Sequence, residues 1–62
     1  MKTLEIWFND NICNRYEMKR VKIDCGTCLA LSFARGLFHD NPYAYKIFVF
    51  DEEDVCVGVV ER

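Results

Sequence analysis

The segment Asp24-Cys25-Gly26-Thr27-Cys28-Leu29-Ala30-Leu31-Ser32-Phe33-Ala34-Arg35-Gly36-Leu37-Phe38-His39-Asp40-Asn41-Pro42 decides the fold. Within it Ala30, Phe33, Ala34 and Leu37 recur at i, i+3, i+4 and i+7, which is one face of a helix. Leu29 extends that stripe, while Ser32, Arg35, Gly36 and His39 take the other side. Asp24 is a suitable N-cap, since a carboxylate can accept from a free backbone N–H of the first turn. Asp40-Asn41-Pro42 ends the helix, because the residue before proline is pushed out of the helical region. The expected helix runs from Cys25 to about His39.

On both sides of this segment the apolar period is two. Leu4, Ile6 and Phe8 alternate with Glu5 and Trp7, which predicts a first strand. Asn9-Asp10-Asn11 is a dense turn signal. Arg15 to Ile23 reads as a second strand. Tyr16 and Met18 share one parity and Val21 and Ile23 the other, so a β-bulge is expected near Lys19-Arg20. Tyr43 to Phe50 is aromatic and β-branched, hence a third strand. Asp51-Glu52-Glu53-Asp54 is the turn, and Val55 to Glu61 the last strand. A turn centred on Glu52 to Asp54 puts Tyr45, Ile47 and Val49 on one face with Val55, Val57 and Val59. A two-residue turn would instead match Phe48 and Phe50 with those valines.

The expected fold is therefore a single α+β domain spanning residues 1–62. Its order is ββαββ, a four-stranded antiparallel sheet with one helix packed on one face. One helix covers one face. The other face would carry Trp7, Phe48, Phe50, Cys56 and Val60, where an open antiparallel sheet usually shows polar groups. Such a surplus fits a partner or a second copy of the chain. Trp7, Phe48 and Phe50 are the expected anchors, with Asp51, Glu52, Glu53 and Asp54 adding electrostatic complementarity.

Composition narrows the chemistry. The chain has 62 residues, of which 52% are hydrophobic and 15% aromatic, so disorder is excluded by composition. It is too short for the large enzyme scaffolds, and no catalytic site is expected. Eight basic and ten acidic residues give a net charge of −2, against the positive excess of a general nucleic-acid binder. Arg15, Tyr16, Lys19, Arg20 and Lys22 could touch RNA on an open sheet, but the acidic turn ranks nucleic acid below protein as partner. No membrane span and no signal peptide are read, so the expected compartment is the cytoplasm, with thiols reduced.

Cys25-Gly26-Thr27-Cys28 is a C-x-x-C where a helix begins, a place that stabilises a thiolate. It resembles the active motif of thioredoxin-type oxidoreductases, without their length or their facing proline loop. The plain alternative makes Cys28 a small core residue and Cys25 a partly exposed one. Cys25 and Cys28 are also weak candidates for half a zinc site. A helix of about fourteen residues spans roughly 20 Å and keeps His39 away from Cys25. Cys13 and Cys56 would then have to complete the site. No metal or cofactor is expected, and a thiol-redox or zinc module is the alternative function. His39 fits best as a helix C-terminal residue facing the negative dipole end.

The whole chain resembles the Dmd-type antitoxins of T-even phages. The likeness lies in the apolar first strand Leu4-Glu5-Ile6-Trp7-Phe8, the polar second strand and the single helix. A terminal hairpin bearing Asp51-Glu52-Glu53-Asp54-Val55-Cys56-Val57 completes it. That resemblance implies a small phage-encoded regulator that neutralises a host toxin or defence protein by steric and electrostatic blocking. No binding residue carries over from it. A homodimeric sheet-face module is the further alternative.

Overall fold

The computed structural model describes residues 1–10 and 15–62. Its elements are β1 (Lys2–Asp10), β2 (Arg15–Ile23), α1 (Thr27–Asp40), β3 (Ala44–Phe50) and β4 (Cys56–Glu61). The fold is α+β, as the pattern predicts. The four strands form one antiparallel sheet in the order β2-β1-β3-β4, with α1 on one face.

The core follows from the alternation of β1. Leu4 and Ile6 point to the helix and are buried with Ile47 and Val49 of β3 and Val60 of β4. Ala30 and Ala34 supply the helix side. Small residues at these two positions let the helix approach the sheet closely. Gly58 serves the same end on β4, since an added Cβ there would lie 2.6 Å from a Leu31 methyl. Gly58→Ala is therefore expected to cost about 1–2 kcal/mol through overpacking. Shortening Leu31 to alanine in the same chain should relieve the clash, a contrast readable in urea-denaturation midpoints.

Several local expectations are corrected. The N-cap is Gly26, not Asp24, and it makes no side-chain cap. Helix end and β3 are instead tied by Arg62. Its guanidinium donates to the Phe38 and Asn41 carbonyls, and its Nε to the Ala44 carbonyl at 3.0 Å. The same group stacks on the Phe38 ring. A cation there satisfies the free carbonyls of the last turn.

The helical stripe is also rotated from the one expected. Leu29 is 65% exposed and Phe33 46%, while Leu31 and Phe38 pack against the core. Leu31 over Gly58 and Phe38 under Arg62 show that this flank faces β4. The opposite flank, bearing Phe33 and Leu29, stands exposed. The helix thus sits off-centre. Val21 on β2 is left exposed for the same reason.

No bulge occurs near Lys19-Arg20. β2 pairs with β1 in unbroken register from Lys2↔Ile23 to Asp10↔Arg15. Apolar residues of both parities are tolerated because Tyr16 to Lys22 are all exposed. The bulges fall elsewhere, between Trp7 and Phe8 against β3 and between Val49 and Phe50 against β4.

The second of these bulges resolves the hairpin register. Phe48 pairs with Val59, and Ile47 with Val60. Val60 is 8% exposed and belongs to the core, whereas Val59 is 47% exposed. The valine set 55, 57 and 59 does not meet the helix; all three are exposed. The first bulge removes Tyr45 from the Ile47–Val49 face as well, and Ala44 takes the buried place.

Candidate functional site

Cross-strand partners share a face, so the register maps the helix-free side of the sheet. One row across the strands reads Glu61, Lys46, Trp7, Met18. The next reads Val59, Phe48, Glu5, Arg20, and the third Cys56, Phe50, Thr3, Lys22. Tyr16 and Tyr45 lie beyond the first row, edge to face with centroids 6.4 Å apart. The expected anchors Trp7, Phe48 and Phe50 are all here, each half-buried. Phe48 and Phe50 are 6.3 Å apart. Val60, expected on this face, lies in the core, and Val59 takes its place.

Charges on this face are largely neutralised within it. Glu5, only 9% exposed, accepts from the Trp7 indole Nε1 at 2.9 Å and from Arg20 at 3.1 Å. Trp7 and Arg20 therefore shield the carboxylate, and it fixes the indole in turn. Lys46 pairs with Glu61 at 3.1 Å and lies over the Phe48 ring. Lys22 makes no such pair among the described residues.

The four acidic residues of the β3–β4 turn have separate roles. The Asp51 carboxylate accepts from the N–H groups of Glu53 and Val55 and shapes the turn. Asp54 has φ 63°, the left-handed conformation that Asp tolerates better than most residues. Glu52 accepts from the Met1 amino group and from Lys2. That amino-group bond, then the backbone hydrogen bond, then Lys2 lower its pKa from 4.5 to about 2. Glu53 and Asp54 are left to face outward.

Since the Glu52 pKa is depressed in the folded state, its contribution is complete above pH 4.5 and is lost as pH falls toward 2. Carboxyl NMR should give a Glu52 midpoint near 2, with Glu52→Gln abolishing that step. A midpoint near 4.5 would show that the tie to Met1 is not kept in solution.

A cleft of about 640 Å³ lies between the basic end of β2 and the acidic turn. Arg20 and Lys22 line one wall, Asp51, Glu52 and Asp54 the other, with Thr3 as floor and Met1 at the margin.

The cysteines give less. Cys25 precedes the N-cap and is half-buried; Cys28, expected as a core residue, is exposed, as is Cys56. The helix that starts at Thr27 turns Cys28 outward, and Ala30 and Ala34 take the buried positions. These three thiols are free. Among the described residues no three of His, Cys, Asp or Glu converge as a metal site. Cys13, required for a zinc set, lies outside the described residues. His39 occupies the last helical turn and is exposed. Among the described residues no helix is long and apolar enough to cross a membrane.

Sequence reading missed the Glu5–Trp7–Arg20 cluster. The signal was present, since Glu5 and Arg20 fall opposite each other once β1 and β2 are paired without a bulge.

Fold and face together define a small α+β domain with one aromatic sheet face that no described element covers. Comparison with known families, curated proteins and solved structures returns no match.

Proposed function

We propose that the chain is a protein-binding module without a catalytic site of its own, acting as a small cytoplasmic inhibitor or antitoxin-like regulator. Its helix-free sheet face would cover the partner, and the outward carboxylates of Glu53 and Asp54 would orient it. One observation carries the reading. Trp7, Met18, Phe48, Phe50 and Val59 share a face that no described element covers, with Glu5 and Lys46 already paired. Half-buried aromatic anchors in a patch where Glu5 pairs with Arg20 and Lys46 with Glu61 favour protein over nucleic acid. The Dmd-like reading of the sequence points the same way.

The test is capture from a bacterial lysate by the immobilised protein, run beside Trp7→Ala and a Glu53→Gln, Asp54→Asn variant. A protein retained by the parent chain and lost with Trp7→Ala supports the reading. No retained protein, or one retained equally by all three, overturns it.

A second reading has its own observation. The basic end of β2 and the acidic turn lie at the same end of the sheet but on opposite sides. That layout suits self-association through the same face.

A further inference from the structure

We propose that two copies of the chain close their helix-free sheet faces on each other about a two-fold axis parallel to the strands. In that arrangement the Lys22 end of each β2 lies over the 51–54 turn of the other copy. The proposal rests on reading this face as a protein-binding surface and names its occupant in the free protein.

Two identical sheets can face each other about an axis along the strands or across them. An axis along the strands exchanges β2 with β4 and β1 with β3, and keeps each end of the sheet over the same end. An axis across the strands keeps β2 over β2 and reverses the ends. The charges choose between them. Lys22 lies on β2 and the acidic turn joins β3 to β4, at one end of the sheet. Only the first axis brings them together, and it does so twice.

The remaining pairs are compatible with that choice. Trp7 and Lys46 share a row, so each indole meets the other copy's Lys46, a cation–π arrangement. Val59 meets the stem of Arg20, and Phe50 meets Thr3. Glu5 and Glu61 keep their own cations and meet no like charge. Asp54 borders a hollow on this face beside Thr3, Arg20 and Phe50, within reach of a lysine across sheets spaced about 10 Å apart.

The area sets the strength. Four strands at about 4.8 Å spacing and seven residues at about 3.3 Å rise give a face of roughly 19 by 23 Å. That is about 440 Å² per copy, below the roughly 800 Å² per partner of a standard-size interface, so the dimer is expected to be a weak, reversible one.

Sedimentation velocity on the full chain, from about 1 µM to about 1 mM, reads this directly. A concentration-dependent dimer that weakens in high salt is expected. Lys22→Glu alone and Asp54→Lys alone should each weaken it at least tenfold, because each places like charges at both symmetric sites. Mixing the two variants restores opposite charges at both sites and should recover the parent affinity as a heterodimer. Glu53→Lys replaces Asp54→Lys if the left-handed position does not accept lysine, with circular dichroism as the folding control.

A parent chain that stays monomeric throughout overturns the proposal. So does a dimer indifferent to both swaps, or one that the mixture fails to restore. Lysate capture separates this from the underlying reading. A monomer that still captures a partner through Trp7 loses the dimer alone, whereas a monomer that captures nothing loses both.

Discussion

Ile47→Ala is expected to leave much of the protein unfolded at ambient temperature. Ile47 is fully buried at the centre of the sheet, paired with Ile6 on one side and Val60 on the other. Removing its outer carbons forfeits their transfer free energy and leaves a cavity that β strands fixed on both sides cannot close. Such substitutions cost about 2–5 kcal/mol, and the central position argues for the upper half of that range. A single core of this size supplies roughly 3–5 kcal/mol in all. Thermal denaturation followed by circular dichroism checks this. A loss below about 1 kcal/mol would mean that the core is not packed as described.

The second large effect lies on the other face. Arg20→Met should cost about 1–2 kcal/mol by leaving the shielded Glu5 carboxylate with only the Trp7 indole. The exposure of Arg20 limits the figure, since water can partly replace it. Converting the pair together, Glu5→Leu with Arg20→Met, should recover most of the loss, because no charge then remains to be satisfied. Tryptophan fluorescence supplies a second readout, since Glu5 holds the indole N–H. Equal stability of Arg20→Met and the parent chain would show that Glu5 is solvated without its partner.

These two residues mark what the sequence pattern can and cannot convey. The buried role of Ile47 follows from alternation along β3, as does that of Leu4 and Ile6 along β1. Alternation is a property of one strand. The Glu5–Arg20 pair is a property of two strands in register, and the apparent phase slip in β2 hid it. That slip reflected a strand whose residues Tyr16 to Lys22 are all exposed, only Ile23 at its end packing against the core. Val59 and Val60 were exchanged for a related reason. A single bulge after the Asp51–Asp54 turn, where Val49 faces Gly58 but Phe50 faces Cys56, reverses the inward parity of β4.

The helix tells the same story. Its period was legible, but periodicity does not say where on the sheet it lands. The off-centre placement rests on Gly58 beneath Leu31 and on Arg62 bridging Phe38 to β3. The candidate anchors Trp7, Phe48 and Phe50 were legible as a group because each keeps its in-strand parity: the bulges fall after Trp7 against β3, and in β4 opposite Phe50. The four acidic residues were legible only as a run. Their division into turn-forming Asp51, tethered Glu52 and outward Glu53 and Asp54 needs the third dimension.

The strand order β2-β1-β3-β4 bears on how the chain folds in time. β1–β2 and β3–β4 are neighbours in sequence and can zip within microseconds. The seam between β1 and β3 is the long-range event, bringing Ile6 to Ile47 across the whole helical segment. Loop closure must be achieved there before any contact rewards it. The meeting of the two hairpins at Leu4, Ile6, Ile47 and Val49 is therefore the step expected to set the folding rate, and substitutions there should slow refolding in stopped-flow measurements.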